Sequence, residues 1–491
     1  MTENYSAYRC RAFPERAAGV LLHLTSLPGS GPIGSLGAEA KHFIDFLSQA
    51  GFTWWQMCPL GPTGYGDSPY QALSVFAGNP YLIDLRDLEK RGLLEEFEIK
   101  SVQRGDETLV NYGRLWEDLR PLLSRAAERG IKLYQNEHAF ISFCEHENHW
   151  LTDWCNFSAL REQNLFTHPE HWKIKVVDST LAQGAAILQF IFWEQWNELK
   201  KYAAKHGVKL LGDEPIYVSD DGCDRWAHPE LFQLNADGKP AFVAGVPPDY
   251  FSVDGQLWGN PLYDWNRHAL DEFKWWRARV HHDLDLFEAV RIDHFRGLHD
   301  YWRVPAQAKN ARSGQWCPGP DFDFIKAMGD LPLVAEDLGL LSPGVEILRQ
   351  KSKLPGMSVL QFGFGDTEGN PHHPNNITPD RVVYTGTHDN DTLKGWLKNC
   401  SDLERKNLKL LLGKYSNDIT TLINLALESE AICAIIPAQD LLELGSESRF
   451  NTPGHPQGNW SWRMTDKDLV TLFTQVENWQ LRLAKSERAS V

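Results

Sequence analysis

Along the chain, short apolar runs that end in polar or small residues recur eight times. They are GVLLHLTSL (19–27), FTWWQMCPL (52–60), VKLLGDEPIYV (208–218), FEAVRIDHF (287–295), LPLVAEDLG (331–339), GMSVLQFGF (356–364), RVVYTGTHD (381–389) and AICAIIPAQD (431–440). Strands buried on both faces leave runs of this kind. Between several of them the apolar positions change to helical spacing, as at Phe43, Ile44 and Leu47 before the second run and Ile187, Leu188, Ile191 and Phe192 before the third. Eight buried strands with helical crossovers predict an α/β fold, a (β/α)8 TIM barrel. The chain carries no repeat of fixed period, which argues against a solenoid or propeller.

The runs are unevenly spaced, and the gaps predict insertions. Residues 61–180 are too many for one strand-to-helix connection and predict a mostly helical subdomain after the second strand. Residues 219–265, rich in Pro, Gly, Asp and aromatics, predict ordered loops over the barrel mouth after the third strand, a lid candidate. Residues 299–330 form a smaller insertion after the fourth. The chain, 1–491, then reads as one catalytic barrel unit with additions.

Composition narrows the function. With 42% hydrophobic residues the chain has ample material for a large core. Lys plus Arg number 49 against 65 Asp plus Glu, a net charge of −16 with no basic stripe, so nucleic acid and anionic membranes are poor partners. The N-terminal stretch MTENYSAYRCRAFPERAAGV has charges where a signal peptide needs an apolar core, and nowhere do eighteen apolar residues run together. Eight scattered cysteines with no CxxC pair suit a reducing cytoplasm, and a plastid protein relieved of its transit peptide would read the same way. No phosphate-binding glycine loop or HExxH helix is present, so no nucleotide, redox or metal cofactor is expected.

In such a barrel the side chains at the C-terminal ends of the strands line the active site. The third run offers Asp213 and Glu214 there, the fourth Arg291, Asp293 and His294, the fifth Glu336 and Asp337, the seventh His388 and Asp389, and the eighth Asp440. Carboxylates crowded at one partly desolvated mouth repel one another. For Glu214, Asp337 and Asp440, capping a helix or pairing with an arginine explains them as well as function does. For Asp293, Glu336 and Asp389, at three different strand ends, a shared site is the better explanation. Two carboxyl groups flanking a glycosidic bond are the general equipment of glycosidases. Arg291, two residues before Asp293 on the same strand face, is placed to keep that carboxylate ionised, and Glu336 follows the apolar PLVA, which favours a protonated acid. Most of the 19 tryptophans are core material, but Trp258 and Trp460 sit among loop residues, where flat faces edged by polar groups suit sugar rings. A metal-dependent barrel hydrolase using His294 and His388 and a non-catalytic glucan-binding protein stay open at this level.

Several longer motifs carry a family likeness: PLGPTGYGDSPYQALSVFAGNPYLIDL (59–85), GDEPIYV (212–218), GVPPDYFSVDGQLWGNPLYDW (245–265), VRIDHFRG (290–297), VAEDLG (334–339), VVYTGTHDNDT (382–392) and IPAQDLLELGSESRFNTPG with GNWSWR (436–463). From about residue 19 to 463 the chain resembles the amylomaltases, disproportionating 4-α-glucanotransferases of the α-amylase-like superfamily, in their short form. The resemblance implies retaining, two-step transfer between α-1,4-glucans, with Asp293 as nucleophile, Glu336 as acid and base, and Asp389 gripping the donor glucose. It further implies substrate contacts for Tyr70, Asp213, Trp258, Arg291, His388 and Asn451, and an outer glucan contact for Tyr65. The implied partners are malto-oligosaccharides, starch- or glycogen-derived glucans and glucose as acceptor. HHPNNI (372–377) departs from the family pattern before the seventh strand: where a Leu-Pro-His-Asn-Tyr run is common, His373, Asn375 and Ile377 stand in the Leu, His and Tyr slots.

Overall fold

The computed structural model describes residues 8–64, 66–102, 108–248, 253–339, 342–455 and 457–488. All eight apolar runs contribute a strand to one parallel sheet: β1 (Ala17–Leu21), β2 (Trp54–Gln56), β3 (Lys209–Glu214), β4 (Ala289–Ile292), β5 (Leu333–Ala335), β6 (Gly356–Val359), β7 (Arg381–Tyr384) and β8 (Cys433–Pro437). β1 pairs with both β2 and β8, so the sheet wraps around. Between β5 and β6 the seam is crossed by Ala335 N–H donating to the Pro355 carbonyl at 2.9 Å and by Met357 N–H donating to Asp337 Oδ1 at 2.7 Å. The result is the expected (β/α)8 barrel.

Alternate residues of each strand take opposite sides. Leu21, Trp54, Leu211, Ala289, Val334 and Ile435 pack together inside the barrel, while Ala18, Val20, Trp55, Leu210, Val290 and Ile436 pack onto the surrounding helices. Trp54 fills the interior only because β1 carries Gly19 beside it: a Cβ at Gly19 would stand 2.6 Å from the Trp54 Cβ. On the outer side Trp55 meets Phe43 at 4.9 Å, and Phe43, Ile44 and Leu47 of the helix Ala38–Ala50 are fully buried, as their spacing predicts.

The helix Ser179–Lys205 leads into β3; its first free N–H groups, of Thr180 and Leu181, are capped by the Asp178 carboxylate. Before it, the helices Leu85–Lys90, Glu96–Val102, Arg120–Tyr134, His138–His146 and Asn148–Gln163 occupy the long β2–β3 interval. The β6–β7 connection holds 3-10 turns, Leu360–Gly363 and Pro374–Asn376, where a barrel usually has a helix. Pro371, Pro374 and Pro379 leave no room there for a continuous helix. Among the described residues no helix is long and apolar enough to cross a membrane.

Part of the region after β3 that composition predicts as loops is strand. Phe242–Val246 and Gln256–Pro261 join Asp300–Pro305 and Gln315–Pro318, from the insertion after β4, in a four-stranded antiparallel sheet. The strands are short, and the central pairing, Phe242–Val246 with Asp300–Pro305, spans β4, so no local apolar run announces the sheet. Residues 249–252, within the lid candidate, lie outside the described residues.

Candidate active site

The inward-facing set continues past the apolar part of the strands. Asp213 is in step with Leu211, Arg291 with Ala289 and Glu336 with Val334, so the pleat turns these three side chains toward the barrel axis. Arg291 links two carboxylates: its Nη1 lies 2.7 Å from both Asp213 oxygens and its Nη2 3.0 Å from Asp293 Oδ1. Its Nε donates to Met357 Sδ at 3.3 Å. The planar guanidinium can serve all of these at once, which an ammonium could not. The Asp213 side chain is 1% exposed and that of Asp293 28%, so Asp213 holds the arginine while Asp293 keeps an oxygen open to the mouth.

Glu336 is fixed by backbone. Its Oε2 accepts from His294 N–H at 2.7 Å and its Oε1 from Leu338 N–H at 3.0 Å. Burial raises its pKa to about 8; Arg291 and the two N–H groups oppose that rise, and the Asp293 charge adds to it. A carboxyl in this state is protonated at neutral pH.

Asp389 closes the third side. Its Oδ1 accepts from Asn451 Nδ2 at 2.6 Å and faces His388 Nε2 at 3.4 Å, while Arg449 Nη2 donates to the Asp389 carbonyl at 2.5 Å. Tyr70 stacks on His388 with ring centroids 4.6 Å apart. The Tyr70 hydroxyl donates to Asp213 Oδ2 at 2.7 Å and stands 3.1 Å from His388 Nδ1. Trp460 packs against both rings, at 5.6 and 5.7 Å. Tyr70, Asp213, Arg291, Asp293, His388, Asp389 and Asn451 thus lie in a chain of direct polar contacts, with Glu336 joined to it at the turn that carries Asp293. Trp258 meets the turn from the four-stranded sheet, its ring edge-to-face with His294 at 4.9 Å. Tyr65 lies outside the described residues.

The other three acids at the strand ends have structural partners. Glu214 pairs with Arg279, which is fully buried against Trp276. Asp337 accepts from Met357 N–H and Arg381 and lies 3.4 Å from Arg349 Nε, bracing the β5–β6 seam. Asp440 accepts from the Thr385 hydroxyl at 2.6 Å and from Leu393 N–H at 2.7 Å, capping a helix start. Residue types alone did not single out the His294 N–H or Arg449, because both act through main-chain groups.

A family model described as 4-alpha-glucanotransferase matches residues 22–469. The 4-alpha-glucanotransferase of Thermus thermophilus is 44% identical over 487 residues, covering 92% of this chain and 96% of that protein. That of Synechocystis sp. is 42% identical over 474 residues, covering 91% of this chain and 94% of its own. The solved structure of an amylomaltase from Streptococcus agalactiae in complex with acarbose superposes with a TM-score of 0.92 at 35% identity, covering 97% of this chain and 100% of that one. With a (β/α)8 barrel, carboxyl groups gathered at its mouth and similarity of this extent, the chain belongs to the 4-alpha-glucanotransferase family.

Proposed function

We propose that this 4-alpha-glucanotransferase moves α-1,4-glucan segments from a donor malto-oligosaccharide to the 4-hydroxyl of an acceptor glucose or glucan, by retaining double displacement. The observation that carries the reading is the pairing of opposite environments: Asp293 held by Arg291 at 3.0 Å, beside Glu336 raised to about 8 by burial. In the first step protonated Glu336 gives its proton to the glycosidic oxygen, Asp293 bonds to the anomeric carbon, and the leaving sugar departs with that proton. The ester formed on Asp293 is neutral, so one influence that raised Glu336 is gone while that of Arg291 remains; Glu336 is now the stronger acid and stays ionised. In the second step the Glu336 carboxylate takes the proton of the acceptor hydroxyl, whose oxygen attacks the anomeric carbon and frees Asp293. Two inversions restore the configuration.

His388 Nε2 and Asp389 Oδ1, 3.4 Å apart, would share a hydroxyl of the donor glucose, with Tyr70 stacking behind His388. Asn451 holds the Asp389 carboxylate for that contact. Transfer prevails over hydrolysis when water is kept from the ester while an acceptor fits. The lid candidate does this in our reading, through its described part, which carries Trp258 at the mouth. The substrates are malto-oligosaccharides and starch- or glycogen-derived glucans, and the eight unbridged cysteines support a reducing compartment, the cytoplasm or a plastid. Incubation with maltotriose tests the reading. Glucose with a ladder of longer glucans is the expected product; glucose and maltose alone would mean hydrolysis, and no product would leave only binding.

A further inference from the structure

Between β4 and the strand Asp300–Pro305 the chain makes one turn, residues 293–298, and that turn touches both the candidate catalytic groups and the four-stranded sheet. His294 takes a left-handed backbone conformation, φ 49°, which His tolerates better than most side chains and a β-branched residue resists. In that conformation its N–H points at Glu336 Oε2, 2.7 Å away, and the next N–H, of Phe295, donates to the Glu336 carbonyl at 3.1 Å. The turn therefore registers Glu336 against Asp293, whose own N–H donates to the Glu214 carbonyl at 2.9 Å.

The side chains of the same turn reach the other way. The His294 ring packs edge-to-face on Trp258, in one edge strand of the four-stranded sheet, Gln256–Pro261. Arg296 lies over Trp316, in the opposite edge strand, at 3.7 Å, and is braced by Asp300 at 2.7 Å. Neither edge can shift without pulling on the turn. Burial holds the His294 imidazole neutral, its pKa lowered to about 4, so the contact with Trp258 is apolar packing.

We propose that His294 is a positioning residue that ties the four-stranded sheet at the barrel mouth to the acid/base carboxyl: its ring holds Trp258 while its N–H orients Glu336. This rests on the reading of Glu336 as acid and base. An acceptor sugar that moves Trp258 then moves the group that must deprotonate it. A merely structural histidine would affect folding alone.

The test uses three variants and the pH dependence of kcat/KM for transfer from maltotriose to glucose. The charged groups that bear on Glu336 are Arg291 and Asp293, and none of the variants alters them. His294→Val, which disfavours the left-handed turn, should withdraw an N–H that stabilises the ionised carboxylate. The alkaline limb should then move up by about one pH unit, and kcat should fall about tenfold or more. His294→Gly adopts φ 49° freely and keeps the N–H, so the limb should stay in place, while the KM for acceptor glucose rises about fivefold because Trp258 has lost its support. His294→Asn, tolerant of the same conformation, should likewise keep the limb; where the Val variant does not fold, a limb that moves in His294→Asn overturns the proposal. An unmoved limb in His294→Val, or equal acceptor KM in wild type and His294→Gly, overturns the proposal. If instead the alkaline limb survives in Glu336→Gln, it is the acid/base reading of Glu336 that fails.

Discussion

Arg291 meets Asp213 through both carboxylate oxygens at 2.7 Å, with the two side chains 4% and 1% exposed, so the group that holds Asp293 is itself held. Removing Arg291 leaves the Asp213 carboxylate buried without its cation. Arg291→Lys keeps the charge but cannot reach Asp213, Asp293 and Met357 together. We expect kcat to fall by about 10² or more and stability by about 3 kcal/mol, read from urea unfolding and initial rates. Wild-type stability in this variant would mean that the fork geometry is irrelevant.

In the proposed mechanism Glu336 must be protonated for the first step. Because burial raises its pKa to about 8, it carries its proton through neutrality and loses it as the pH rises through about 8. Transfer from maltotriose should therefore show an alkaline limb in kcat/KM near that value, reporting the free enzyme. In Glu336→Gln the loss should be about 10² to 10⁴ for maltotriose and much smaller for aryl glucosides that need no protonation. Equal losses for both substrates would remove Glu336 from the acid role.

Trp258 presents a half-buried ring at the mouth, supported by His294 at 4.9 Å and Tyr217 at 6.3 Å. Trp258→Ala should raise the ratio of hydrolysis to transfer, measured as reducing ends against chain-length redistribution at fixed acceptor concentration. An unchanged ratio would take the four-stranded sheet out of acceptor selection.

Arg279 is fully buried, paired with Glu214 and donating to the Tyr263 hydroxyl at 3.2 Å. Arg279→Met should cost about 3 to 5 kcal/mol, because it strands the Glu214 carboxylate in the core. Part of the loss should be recovered by combining it with Glu214→Gln, and thermal unfolding of the single and double variants separates the two. If the single variant kept wild-type stability, Glu214 would not depend on this arginine.

The barrel was legible because strands buried on both faces leave apolar runs, and each of the eight strands overlaps its run. Asp293, Glu336 and Asp389 were legible because barrel topology makes a strand end a prediction about location. Glu214, Asp337 and Asp440 occupy equivalent positions, and what separates them is the partner each meets. Arg279, Arg381 and Thr385 reach them from other elements, so no local spacing reveals the pairing. The four-stranded sheet escaped for the same reason: Phe242–Val246 finds its partner in Asp300–Pro305, on the far side of β4. His294 reads in sequence as a possible metal ligand, whereas in the fold its N–H and its packed ring are the parts that make contact.

The central claim is a covalent glycosyl-enzyme on Asp293. Glu336→Gln incubated with an α-glucosyl or maltosyl fluoride can form the ester, since fluoride leaves without a proton, but has no base to pass it on. Peptide mass spectrometry of the quenched protein should find one glycosyl increment on the VRIDHFRG segment, at Asp293. A glycosyl group on any other residue, or steady turnover with no bound sugar, would contradict the account.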